Sequence, residues 1–300
     1  MVAVFIPLAL LAAVGYAAGN ILDKLVMTGY IQNPVVKAFW FGIFAPFTGM
    51  LAFLLGPVAV PSTRVIAGAF VAGAALLAST ALFMYAMRRG EVSRLALILQ
   101  TNPLFALVLS FLLLGELLSL AQYAGVGTLL VASLLASLDH PEQGLPSFQF
   151  NLPFWSTVAA AALFATSAVT LKYLIQFTNF ATAFYWQQLG MFAVAPLLLL
   201  HTGVREEARS VVSANRAVFL LAAASLSYAA ANVSFTAALN YISAAIVSAV
   251  VTINPLFVLV LVILLQAAGF DQFEEHTTPQ EIAVKTVATV IFVIGIYLVN

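Results

Sequence analysis

Two short runs carry most of the chemistry in this sequence. Asn102-Pro-Leu-Phe-Ala-Leu-Val-Leu109 recurs as Asn254-Pro-Leu-Phe-Val-Leu-Val-Leu261, identical at seven of eight positions and offset by 152 residues. Each proline lies inside an apolar run, lacks an amide hydrogen and displaces the carbonyl four residues back, here Leu99 or Val251. Backbone freed in this way inside a bilayer is tolerated only where protein or a water-filled cavity satisfies it. The freed carbonyls, Asn102 and Asn254, with Gln100 close by, therefore make a small polar centre suited to holding a substrate. Pro103 and Pro255 are the matching hinge candidates. The competing reading is plainer: each asparagine bonds a neighbouring helix, an interaction worth about 0.6 kcal/mol on average.

A second polar group lies on one helical stripe. Ser225, Tyr228, Asn232, Thr236 and Asn240 fall within an arc of about 120° at 100° per residue. Small residues surround them, which lets neighbouring helices approach closely. A polar stripe facing lipid is costly, so this one faces protein or water, as a cavity wall or as interhelical bonds. Thr80, Met84 and Tyr85 occupy the repeat-related run, so the two walls are unequal and suit an amphiphilic metabolite. Charges within apolar runs also need a reason. Asp23, Lys24 and Lys172 lie near the ends of two such runs. Lysines there either snorkel to the interface or flank the mouths of a path. Tyr16, Asn20 and Asp23 share one face, which turns Asp23 inward. No acidic residue or histidine stands in the middle of a run, which favours uniport or exchange over strict proton coupling. No phosphate-binding loop or metal-ligand spacing occurs, so neither a cofactor nor a metal is expected.

The elements that hold these residues follow from composition. The chain has 300 residues, 63% hydrophobic and 7% charged, with a mean hydropathy of +1.08, a formal net charge of zero and no cysteine. A soluble domain averages about 25% charged residues, so the surrounding medium is lipid. Zero net charge gives no bulk attraction to nucleic acid. A spanning helix needs roughly 20 mainly apolar residues. Breaks at glycine, proline and charge clusters leave ten such runs: 2–24, 35–55, 66–87, 94–114, 119–138, 153–174, 181–201, 216–239, 243–267 and 282–300. The first is read as a span rather than a secretion signal, because no basic leader precedes it and it is too long for a signal core. An offset of 148 pairs Lys24 with Lys172 and Gly42 with Gly190, while the asparagine–proline runs pair at 152. Two five-helix repeats result, residues 1–138 and 153–300, joined by a linker over 139–152. Five is odd, so the second repeat enters the membrane upside down, an arrangement typical of secondary transporters.

With ten spans, an inverted repeat, Tyr85-Ala-Met-Arg-Arg-Gly-Glu-Val-Ser93 leading into Asn102-Pro103, and Leu114-Gly-Glu116, the chain resembles the drug/metabolite transporter superfamily, EamA-type. One departure is that Gly115-Glu116 has no counterpart after span 9. The resemblance implies an all-α polytopic protein of a prokaryotic inner (cell) membrane that transports amino acids, drugs or related small metabolites. It also implies a central cavity lined by spans 1, 3, 4, 6, 8 and 9, with both termini inside. Counting Lys and Arg instead puts nine on the face that carries the loop after span 1 and two on the other, favouring an outside N-terminus. The function expected is export of a small organic metabolite by alternating access. The alternative is a membrane receptor or assembly subunit that binds a ligand without moving it. Gly15-x-x-x-Gly19 and Gly125/Gly127 permit close packing, and a homodimer is one use of them.

Overall fold

Proline and asparagine set many of the helix starts. In the computed structural model, which describes residues 2–89, 92–137, 150–268 and 279–299, α1 runs Val2–Gly29 and α2 runs Pro34–Gly49. Asn33 accepts from the Val35 amide, satisfying one of the donors that a helix start leaves open. A short α3, Ala52–Leu55, completes the second span before α4, Thr63–Met87. The fourth apolar run is α5, Val92–Leu99, followed by α6, Asn102–Leu114. Next, α7 covers Leu120–Ala136, its start closed by a reciprocal Ser119–Gln122 capping box. The second half holds α8, Leu152–Ile175, and α9, Phe180–Val194, the latter extended by a 3-10 turn over Ala195–Leu200. Then come α10, Thr202–Val212, α11, Asn215–Ala238, α12, Ala244–Val251, α13, Asn254–Ala267, and α14, Pro279–Val299.

Among the described residues there is no strand. Eight helical spans are long and apolar enough to cross a membrane, and two shorter apolar helices, Leu120–Ala136 and Ala283–Val299, pack against each other. The main pairings elsewhere are α1 with α11, α4 with α8, and α4 with α9. Glycines make the closest crossings. A Cβ on Gly73 would overlap the Gln187 carbonyl oxygen, and one on Gly190 would lie 2.5 Å from the Phe70 Cα. Gly15 and Gly19 face Ala231 and the Tyr228 ring, and Gly125 faces Val299, so all three serve packing inside the chain.

Two local expectations are corrected. The fourth and ninth runs are not continuous helices kinked at proline; each is two helices, broken at Gln100–Thr101 and at Thr252–Ile253. Asn102 and Asn254 open the second member of each pair, where the missing proline amide costs nothing because a first-turn amide has no partner in the helix. The stretch after residue 201 is not a loop. It forms α10, whose Val204, Ala208 and Val211 pack with Val36, Phe39 and Leu221. Glu207 there accepts from the backbone amides of Gln32 and Asn33, tying α10 to the α1–α2 turn.

Candidate functional site

Four asparagines, two tyrosines and two lysines converge on one cavity of about 430 Å³ in the middle of the bundle. Its polar wall is built from α1, α2 and α11. Tyr16 donates to the Asn232 side-chain oxygen at 2.6 Å, and Asn20 donates across the bundle to the Asn254 oxygen at 3.3 Å. The Tyr228 hydroxyl lies 2.8 Å from the Asn20 oxygen and 2.5 Å from Asp23 Oδ2, and its single proton serves one of them at a time. Behind that wall Asp23 pairs with Lys37 at 2.8 Å, both side chains buried. The Lys37 ammonium also lies 4.4 Å from the Tyr228 ring centroid and 5.3 Å from that of Phe41, within the range where ring faces attract cations.

The apolar part of the lining is Leu76, Phe83 and Met84 from α4, Phe164 from α8, and Val258 and Leu259 from α13. The two helix breaks add Leu99, Gln100 and Asn102, and Val251, Thr252 and Asn254. In the first, Asn102 turns its own side chain back, Nδ2 donating to the Leu99 carbonyl at 3.2 Å. In the second, Ser133 of α7 donates to the Thr252 carbonyl at 2.7 Å. The breaks are thus satisfied by different means, one local and one from a neighbouring helix. Asn102 Oδ1 and Ser248 Oγ, both on residues that line the cavity, have no hydrogen-bond partner among the described residues. A buried polar atom without a partner costs about 1–3 kcal/mol; a bound polar molecule would remove that cost.

Of the residues singled out from sequence, Asn20, Gln100, Asn102, Tyr228, Asn232, Asn254 and Pro255 line this cavity. Thr236 does not: it is buried and its hydroxyl donates to the Asn232 carbonyl at 2.7 Å. Tyr85 does not either; its ring is covered by the Arg89 guanidinium at 3.9 Å. Pro103 is buried beside Asn102 and away from the space, and Asp23 reaches it only through Lys37 and Tyr228. Lys24 is exposed. Lys172 stands at another place: its ammonium donates to the Leu239 and Ile242 carbonyls at 2.6 and 2.5 Å, and Glu116 lies 3.7 Å away. These carbonyls belong to the turn joining α11 to α12.

Sequence reasoning missed Lys37 and Lys285, the charged side chains that line the cavity among the described residues. Both lie near the starts of the second and tenth apolar runs and entered only the count of basic residues; the signal in Lys37 was its setting among Val35, Val36 and Phe39. The lining also takes in α2, α7 and α14, which correspond to spans 2, 5 and 10, beyond the six spans expected. Gln187 and Gln188 bond other helices, to Ser167 at 3.0 Å and Thr48 at 2.7 Å, and take no part. Glu91, His140 and His276 lie outside the described residues.

A polytopic helical bundle around an internal cavity of small-molecule size is the class that fold and site define. Residues 4–138 match the model of the EamA-like transporter family, which is part of the drug/metabolite transporter superfamily. The family points to a membrane transporter of small molecules rather than an enzyme. A solved crystal structure, described only as that of a protein, superposes with a TM-score of 0.73 at 16% identity, covering 98% of this chain and 95% of the other. At that identity the likeness shows the fold alone. No curated protein sequence matches the chain.

Proposed function

We propose that this protein is a secondary or facilitative transporter that moves a small amphiphilic metabolite by alternating access between two inverted halves, residues 1–138 and 153–300. The observation that carries this reading is the cavity itself. It is walled by both halves, lies at two helix breaks, and is crossed by the Asn20–Asn254 hydrogen bond between them. The duplication is supported by the breaks: α5 ends at Leu99 and α6 starts at Asn102, while α12 ends at Val251 and α13 starts at Asn254, the same offset of 152 that aligns the sequence runs. Pairing is reciprocal as well. The first span packs on the eighth as the third packs on the sixth, and the fifth packs on the tenth. Broken helices near mid-membrane are a recurrent way for transporters to present backbone and side-chain dipoles to cargo.

In this mechanism Asn102, Asn254, Asn20, Asn232 and Tyr228 hold the polar end of the substrate, and Phe83, Phe164 and Val258 its apolar body. Rocking about the two breaks exposes the cavity to one face and then the other. Purified protein in proteoliposomes is expected to show saturable counterflow with a panel of radiolabelled amino acids, aromatic carboxylates and nucleosides. Asn254→Leu should lower that flux by more than about tenfold, equal to 1.4 kcal/mol, while the protein still elutes as a single species with unchanged helicity. Flux that survives both Asn254→Leu and Asn102→Leu overturns the reading.

A further inference from the structure

The Lys172 cluster lies away from the cavity, yet it joins three elements that have to separate if the halves rock. Lys172 is in the last turn of α8, Leu239 and Ile242 flank the α11–α12 turn, and Glu116 follows α6. An ammonium shared by two carbonyls and a carboxylate holds these ends together. The offsets of the repeat identify the other copy of each part: Lys24 for Lys172, Met87 for Leu239, Gly90 for Ile242 and Ala268 for Glu116. The two copies are in opposite conditions. Lys24 is exposed, whereas Lys172 is half-buried and engaged. Helix α8 packs against both α11 and α12, whereas α1 makes no comparable packing against α4 or α5. The cavity is lined by Phe83 and Met84 late in α4 and by Ala96 early in α5, so its mouth opens on the Lys24 side.

On the transporter reading above, we propose that Lys172 and Lys24 are alternating latches, one for each mouth. In the conformation described here Lys172 closes its mouth. In the opposite conformation Lys24 donates to the carbonyls that end α4, Met87 foremost, and Lys172 releases Leu239 and Ile242. The latches are unequal, since Glu116 has only Ala268 as its counterpart. Among the described residues this ion pair stands on the Lys172 side, and the resting equilibrium favours the Lys172-closed form. A ligand-free protein accordingly waits with its cavity open on the Lys24 side.

Because the chain has no cysteine, paired cysteines test this in an unmodified background. Lys24→Cys with Met87→Cys, and separately Lys172→Cys with Leu239→Cys, are treated with a short bis-methanethiosulfonate in proteoliposomes. The second pair should cross-link quickly. The first should cross-link slowly, speed up severalfold when Glu116→Gln is added, and block counterflow once joined. Lys24→Met, in an otherwise intact chain, should slow counterflow by about tenfold. If the Lys24–Met87 pair stays unjoined in the Glu116→Gln background and Lys24→Met leaves counterflow unchanged, the latches are overturned and the transporter reading stands. If the pairs alternate as described while no panel compound is ever moved, the latches stand and the transporter reading falls.

Discussion

Asp23 and Lys37 make the most demanding contact at the scale of single residues. Taking both charges out of water costs several kcal/mol each, and only close pairing with further hydrogen bonds offsets it. Here Lys37 adds two ring faces and Tyr228 reaches the carboxylate, although Asp23 Oδ1 has no hydrogen-bond partner among the described residues. Removing one member strands the other. Lys37→Met is therefore expected to destabilise the protein by about 3–5 kcal/mol, and adding Asp23→Asn should recover most of it, as measured by thermal unfolding in detergent. Losses that merely add would show that the two charges do not support each other. Sequence periodicity turned Asp23 to the same face as Tyr16 and Asn20. It was silent on Lys37, because that partner arrives from another helix and only the crossing of α1, α2 and α11 brings it near.

At the scale of elements, the asparagine–proline runs were legible as special backbone but their form was not. Proline alone predicts a kink, whereas the chain breaks into two helices because Asn102 and Ser133 supply hydrogen bonds to the opened carbonyls. That Ser133 sits 119 residues from Thr252, a distance no local pattern reports. Ser133→Ala should lower stability by about 1 kcal/mol, and Ser133→Leu, which also crowds the break, by considerably more. The missed helix α10 shows the reverse. Val204, Ala208 and Val211 repeat at helical spacing and were readable; the polar residues between them hid the pattern within an apolar chain. Val204→Asp should release α10 from its cluster at a cost of roughly 2 kcal/mol, seen as new proteolytic cleavage between residues 201 and 214 without loss of the remaining bundle.

For the whole molecule, the charge count makes a prediction of sidedness once the buried lysines are set aside. Of the nine basic residues on the face with α10, Lys37 and Lys285 line the cavity, leaving seven; on the other face Lys172 is engaged by carbonyls, leaving Arg64 alone. Loops rich in Lys and Arg stay in the cytoplasm, so a cysteine at exposed Ser210 should react with impermeant thiol reagents only from that side. Reaction from outside would reverse the orientation and favour the alternative of both termini within the cell. Lipid as solvent was plain in composition, whereas the cavity's walls were only half legible, since α2, α7 and α14 reach it by packing. The two helix breaks carry one more consequence. Asn102 mends its own break and leaves that joint free to swivel, but Thr252 is moored to α7 and cannot turn without towing that helix along. Any motion about the pair is lopsided: a loose wrist on one arm, a tethered elbow on the other.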